Sequence, residues 1–589
     1  MEHEFADSIA QACPQSRASV QNLLHYLALR RHDLRGLQSR LAALGLSSLG
    51  RSEASTLSGI QAVIAILELL VGERAPDSLP PPVGWFKTGP STLTRNATQL
   101  LGPVPKNRAV RIMVTLPSEA AHSYDLIKGL VETGTDIVRI NCAHDSEREW
   151  EAMIAHLHRA NQELGKHCRI LMDLAGPKLR TGPLPRGQRV VRWRVSRDAG
   201  GMVTAPAHIA LLGKRGDAGL LPPFQVELPV PESFLTSVCL GDTIKVQDSR
   251  GKTRVLTVIF KGDHACVCTC EKSAFVLSRA RFALFRGEKQ VDAGHIGELP
   301  FVEEPIRLHP HDLLVLSKQD TTPRIQHPEV PHISCTLPQV FSTALPGQPI
   351  FFDDGKIEGR IREVHPDHLL VEIMHTGAPE AKLGSAKGIN LPETELGISA
   401  MTEKDRSDLD FVAEHSDIVG LSFVRRPEDV HELLRELAAR GKSRLGIILK
   451  IESRSGFNQL PTIMIAASRH HHVGIMVARG DLAIEVGFER LAEVQEEILW
   501  LSEAAHIPVI WATQVLETLA KTGIPSRAEV TDAAMGVRAE CVMLNKGEHI
   551  LDAVRFLQDV LHRMQAHHLK KRSMLRRLAV AQIRHAATG

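Results

Sequence analysis

No two cysteines in this sequence of 589 residues are spaced as CxxC. The nine that occur (Cys13, Cys142, Cys168, Cys239, Cys266, Cys268, Cys270, Cys335 and Cys541) are scattered and odd in number. That excludes a disulfide framework and fits reduced thiols in a cytoplasmic protein. Cys266, Cys268 and Cys270 alternate, so in a strand they share one face; a structural zinc needs four ligands in a closed tetrahedron, and a strand face of small residues is the better reading. Charge of one sign is missing too: the formal net charge is +2, which offers no general argument for a nucleic-acid or membrane partner. The opening residues, MEHEFADSIAQ, are acidic and have no apolar centre, unlike a leader peptide. The longest apolar stretch, Ile60 to Val71, is interrupted by Gln61 and Glu68 and is shorter than the ~20 residues a membrane span requires. The expectation is a soluble, cytoplasmic protein with no nucleic acid and no membrane among its partners.

What is present is ordinary globular composition, 43% apolar and 23% charged. Residues 1–105 read as an N-terminal helical extension. SVQNLLHYLALRRHDLRGLQSRLAALGL and SEASTLSGIQAVIAILELLVG carry apolar residues at three- and four-residue steps, which predicts a packing or interaction module without chemistry. From about residue 108, short β-branched runs alternate with helical patterns. Strand-like runs VRIMVTL, DIVRIN and RILMDLAGP come first. After residue 388 follow DIVGLSF, LGIILKIE, VGIMVARGD, PVIWATQ and CVMLNKG. Eight strand–helix units predict a parallel α/β fold closed on itself, a (β/α)8 TIM barrel, with an all-β domain inserted after strand 3. The expected divisions are a first barrel segment over 106–182, the insertion over 183–387, a second barrel segment over 388–567 and a basic tail over 568–589. Within the insertion, LGDTIKVQDSRGKTRVLTVIFKGDHACVCTCE (240–271) resembles PGQPIFFDDGKIEGRIREVHPDHLLVEI (346–373), which suggests two small, duplicated β-barrel-like units. Only the second carries the tandem Asp353-Asp354-Gly355.

In such barrels the polar residues at strand C-termini build the site. Lys450 and Glu452 lie two apart on one strand and so share a face, and Asp481 ends the next strand. Two carboxylates at neighbouring strand ends can hold Mg2+ or Mn2+ through oxygen, and a lysine beside them can stabilise a transferring phosphoryl group. The bland alternative is a buried Lys–Glu ion pair. Arg139 and Asn141 end the second strand, His144 follows, and Arg180 lies beyond Asp173; two arginines at one mouth suit a phosphate or carboxylate.

The ordered set IVRINCAHD, DLAGPKLRTG, FFDDGKI, KGINLPE, LSFVRRPEDV, LKIES, IMVARGDLAIE, PVIWATQVLE and SRAEVTDAAMGV closely resembles pyruvate kinase. The resemblance covers about 105–183 and 340–565. It implies a glycolytic, Mg2+-dependent transfer of phosphoryl from phosphoenolpyruvate to ADP, giving pyruvate and ATP, by a homo-oligomer. It implies that Lys450 stabilises the migrating phosphoryl group and that Glu452 and Asp481 hold the metal. By the same resemblance Thr513 lies near the enolpyruvate methylene, and Gly480 and Asp481 border the substrate carboxylate. Arg139, Asn141, His144, Arg180 and Lys387 face the phosphates.

The sequence departs from the family at its monovalent-cation site. Asn141 and Asp173 remain, but Ala143 stands for a Ser and Lys178 for a Glu, so K+ is expected not to be required. Leu174-Ala175 replaces a Thr-Lys pair, Ala386 replaces a lysine, and the TLPSE and NKGEHI turns are short, changes that thin the nucleotide contacts. No counterpart of the family's C-terminal domain and effector site is expected. Two other functions stay open: a metal-dependent lyase or aldolase acting on pyruvate or oxaloacetate, and a non-catalytic regulatory protein. Gly441-Lys442-Ser443 is not a P-loop, because Glu436 occupies the upstream glycine position. His431-Glu432 is not a zinc-protease motif, because Arg435 stands for the second histidine. His470-His471-His472 reads as a solvated loop.

Overall fold

The computed structural model describes residues 1–73, 85–214, 221–318, 329–570 and 572–573. Eight parallel strands close a barrel: β1 (Arg111–Thr115), β2 (Ile137–Asn141), β3 (Arg169–Asp173), β4 (Ile418–Leu421), β5 (Gly446–Ile451), β6 (Val473–Ala478), β7 (Val509–Ala512) and β8 (Cys541–Leu544). β8 returns to β1 with Cys541 opposite Arg111 and Leu544 opposite Val114. Every run expected to be a barrel strand supplies one. Each strand is almost continuously apolar because helices cover its outer face while the barrel interior covers the other.

The alternation of side chains sets the interior in levels. Met113, Ile137, Leu171, Ile418, Ile448, Met476 and Ile510 form an apolar layer. One step further along their strands, Arg139, Asp173 and Lys450 form a polar layer above it. The apolar layer rests on a floor that the barrel strands do not supply. The extension folds as α1 (Ala6–Gln11), α2 (Arg17–Arg30), α3 (Arg35–Ala43), α4 (Thr56–Leu70) and α5 (Trp85–Leu101). The last turn of α5 places Leu100 and Leu101 in the barrel's own core cluster. A Cβ on Gly446 would lie 2.7 Å from Leu100 Cδ1, and one on Gly474 would lie 2.7 Å from its Cδ2, so only glycine admits the leucine there. Burial of each leucine contributes about 1.5–3 kcal/mol. Barrel arginines cap the end of this helix: Arg169 Nη1 donates to the Leu100 and Gln99 carbonyls at 2.6 and 2.7 Å, and Arg111 Nη2 to the Gly102 carbonyl at 2.7 Å. Cations at a helix C-terminus meet its unpaired carbonyls and its dipole favourably.

A second anchor of the extension is His506, in the turn before β7. Its Nε2–H donates to the Ala54 carbonyl at 2.8 Å, so Nδ1 accepts from the Ser19 hydroxyl at 2.9 Å. The His506 carbonyl in turn accepts from Asn96 at 2.8 Å. Burial first, and Arg95 in addition, hold this imidazole below the usual histidine range, against the pull of the Ala54 bond. By length and composition alone, Glu53–Leu70 could cross a membrane, with a mean hydropathy of 1.4 over 18 residues. Its first turn is tied to α2, where Asn22 donates to the Glu53 carbonyl and accepts from the Thr56 N–H.

The chain divides into two compact units, 1–180 with 336–375 and 388–589, and 181–335 with 376–387. The insertion expected over 183–387 is therefore split, with 336–375 grouped with the barrel. The second unit holds a seven-stranded sheet in which Thr243–Gln247, Thr253–Lys261 and Ala265–Cys270 run as a meander. The meander recurs in Pro349–Phe352, Ile357–Val364 and His368–Thr376, which fall in the first unit except for Thr376. The internal repeat is thus real at the level of three strands, but its copies do not make two separate, equal barrels. The paired turns differ. Asp248 is buried and accepts from Lys252 N–H at 2.8 Å and Arg254 Nη2 at 2.6 Å, closing its own turn. Asp353 and Asp354 sit instead at φ of 50° and 56° before Gly355. Cys266, Cys268 and Cys270 share one face buried in the second unit's core. Most of the basic tail, 571 and 574–589, lies outside the described residues.

Because the fold holds His506 neutral, the unfolded chain binds the extra proton at acid pH. The stability tied to this contact is full above about pH 6.5 and is lost as pH falls through the depressed value. Thermal melts between pH 7.5 and 5.5 should therefore show a falling midpoint, and His506→Gln should flatten part of that slope. A slope unchanged by the substitution would remove His506 as a source of it.

Candidate active site

At the C-terminal mouth of the barrel lies a cavity of about 400 Å3. Lys450 reaches it from β5 and is fully engaged. Its Nζ donates to Ser422 Oγ at 2.7 Å and lies 3.0 Å from Asp173 Oδ2 and 3.1 Å from Glu452 Oε1. Burial alone would lower the lysine's pKa, but the charges of Asp173 and Glu452 outweigh it and hold the ammonium above the usual range. Asp173, at the end of β3, also accepts from Arg139 Nε at 2.9 Å and Nη2 at 2.5 Å. Burial would push its pKa up; Lys450 and then Arg139 reverse that and keep the carboxylate charged. Among the described residues Asp173 Oδ1 has no hydrogen-bond partner, and it fills the space beside Gly420, where a Cβ would come within 2.5 Å. The neighbouring strand must carry glycine at that point.

Glu452 Oε2 accepts from the Phe423 N–H at 2.7 Å. Its pKa is raised, first by burial and then by the nearby Asp481 and Asp173 carboxylates, with Lys450 opposing. Asp481 stands in the first turn of the helix Arg479–Val486 and meets Lys178 Nζ at 2.9 and 3.1 Å through its two oxygens. Among the described residues no three His, Cys, Asp or Glu side chains converge as a metal cluster. The donor set still suits a hard divalent cation. Glu452 and Asp481 offer carboxylate oxygens whose mutual repulsion a cation would relieve, and Mg2+ and Mn2+ ordinarily take further ligands from water and substrate.

The same cavity is lined by Arg139, Asn141, His144, Lys178, Arg180, Gly480 and Thr513. Asn141 Oδ1 is turned back on the Ala143 N–H at 3.1 Å. The Arg180 N–H donates to Thr336 Oγ1 at 3.0 Å. Burial, then Lys546, lowers the pKa of His144. Of the three residues expected at the altered cation site, Asn141 and Asp173 stand opposite each other on β2 and β3, and Lys178 lines the same cavity as Asn141. Asp173 is already paired with Arg139 and Lys450, and the Lys178 ammonium goes to Asp481 instead. Lys387 falls in the second unit, where its N–H donates to Thr181 Oγ1 at 2.8 Å.

Two contributors, Thr115 and Lys546, were not singled out from sequence. Thr115 Oγ1 accepts from Arg139 Nη1 at 3.1 Å, a role that its position two beyond Met113 on β1 could have suggested. Lys546 lines the cavity from the loop after β8. Arg479 holds Thr513: its Nε donates to the Ala512 carbonyl at 2.8 Å and its Nη2 to the Thr513 carbonyl at 2.5 Å. Its guanidinium stacks 4.7 Å from the Trp511 ring and pairs with Asp532. Those bonds hold Thr513 and Gln514 at φ of 63° and 57°, a left-handed conformation that a β-branched residue adopts only under constraint. Thr513 Oγ1 then accepts from the Gly480 N–H at 2.8 Å. Replacing Arg479 by Leu should cost roughly 3 kcal/mol, as for a buried ion pair stripped of one partner. Urea unfolding is the measurement, and Lys at this position should recover only a fraction because it lacks the planar fork.

A family model described as pyruvate kinase, barrel domain, matches residues 107–293 and 302–550. Pyruvate kinase 1 of Trypanosoma brucei brucei is 27% identical over 462 residues, covering 77% of this chain and 67% of that protein. A pyruvate kinase of Agrobacterium vitis is 36% identical over 236 residues, covering 39% of this chain and 46% of the relative. One of Rattus norvegicus is 36% identical over 242 residues, or 40% of each chain. The matched span and the eight-stranded barrel agree, and the chain is an enzyme of the pyruvate kinase family.

Proposed function

We propose that the chain transfers phosphoryl from phosphoenolpyruvate to ADP, giving pyruvate and ATP. The observation that carries this reading is the Asp173–Lys450–Glu452 ion chain opening onto the cavity. It keeps a buried ammonium charged between two carboxylates, one of which, Glu452, feels the charge of a third, Asp481. Lys450 is suited to meet charge that builds on the phosphoryl oxygens as the bond to the enol oxygen breaks and the bond to the ADP oxygen forms. Glu452 and Asp481 would hold Mg2+ or Mn2+, which when bound adds positive charge at the same oxygens. Arg139 and Arg180 orient anionic groups. The enolate left behind takes a proton on its methylene carbon, and Thr513, whose hydroxyl is fixed by Gly480, stands where a donor is needed. The free thiols support a reducing, cytoplasmic setting.

With phosphoenolpyruvate, ADP and Mg2+, the protein should release pyruvate in a coupled assay, and Lys450→Met should lower kcat by about 10²–10³-fold. Absence of pyruvate from the wild type would reject the kinase reading, and pyruvate formed from oxaloacetate instead would support a lyase.

We further propose that no monovalent cation is required. Asp173 already has two cations against it, and Asn141 Oδ1 is engaged in its own turn. Replacing K+ by tetramethylammonium should leave the rate unchanged; a steep dependence on K+ would reverse this assignment.

A further inference from the structure

The Lys178–Asp481 pair sits in a position that its charges alone do not explain. A second cavity, of about 620 Å3, borders the first. Lys178, Phe423, Glu452 and Asp481 line both, so they are the wall the two cavities share. Lys178 crosses that wall over Gly388, whose missing side chain leaves room: a Cβ there would lie 3.2 Å from Lys178 Cε. Its ammonium bridges both oxygens of Asp481, at 2.9 and 3.1 Å, and so occupies the edge that a bidentate metal would use. Asp481 is also one of the two carboxylates able to hold a divalent cation. One carboxylate cannot give its oxygens fully to an ammonium and to a metal at once.

We propose that Lys178 is an internal competitor for the metal site. In the metal-free protein its ammonium occupies the Asp481 carboxylate. A divalent cation binds only by displacing it, and the released ammonium is then free to face an anion in the cavity. Metal affinity is thereby set lower than the two carboxylates alone would give, and metal entry and cationic exposure become one event. The inference rests on the metal assignment made above, and its test separates the two.

The test is Mn2+ titration of the full chain, followed by the electron paramagnetic resonance signal of free Mn2+. Lys178→Gln should bind Mn2+ about tenfold tighter, which is about 1.4 kcal/mol, and Lys178→Arg should stay close to wild type. Lys546→Gln removes an equal charge from the cavity lip without touching Asp481 and should change affinity by less than about twofold, since a charge further off in a solvated cleft is well screened. An unchanged affinity in Lys178→Gln, or an equal gain in Lys546→Gln, overturns the competition. Asp481→Asn should lose binding; if it binds Mn2+ as the wild type does, the metal assignment itself fails. A second measurement needs no variant. Lys178 is 23% exposed in the paired state, and its labelling by an amine-reactive reagent, read by mass spectrometry, should rise when Mn2+ saturates the wild type. Unchanged labelling would mean that the ammonium does not move.

Discussion

The site depends on one buried ammonium. Lys450 stands on an apolar layer of the barrel, where an unpaired charge would be driven out or neutralised. Asp173 on one side and Glu452 on the other make its charge tolerable, and each carboxylate is in turn held elsewhere, Asp173 by Arg139 and Glu452 by the Phe423 N–H. Such a chain gains little stability over well-packed hydrocarbon. What it secures is position: a cation fixed at the end of a rigid strand, with its counter-charges shared out so that another anion can still be attracted to it.

Around that charge the remaining residues fall into two kinds. Some set geometry, Gly420 by leaving room beside Asp173 and Arg479 by the hydrogen bonds that hold Thr513 in a left-handed turn. Others set electrostatics, as the Asp481 carboxylate does by raising the cost of ionising buried Glu452. The first kind needs rigid neighbours and the second needs burial, and the strand ends that carry Arg139, Asp173 and Lys450 provide both.

Much of this was legible in the sequence. The eight strands announce themselves as short β-branched runs, and Ile448, Lys450 and Glu452 sit at the period that puts them on one face. The three-stranded repeat could also be read, because its turn and strand spacing recur. Pairings between distant segments could not. Nothing in DLAGPKLRTG says that Lys178 will reach Asp481 rather than Asp173; that depends on which carboxylate is already saturated, a fact of packing. The split of the insertion was hidden for a similar reason, since a β-meander reads the same in either unit. The extension's amphipathic pattern predicted a packed face but not the surface it would meet.

That surface is the base of the barrel, and its shape ties two distant stretches of the chain to a shared history. Leu100 fits only because residues 446 and 474 are glycine, and those glycines leave a hollow unless a side chain as large as leucine fills it. Neither side can change size alone. A lineage that lost or replaced the extension would have to rebuild the floor strand by strand, whereas the rim above, where Lys178 and Lys546 stand on loops, can vary its chemistry without disturbing the foundations.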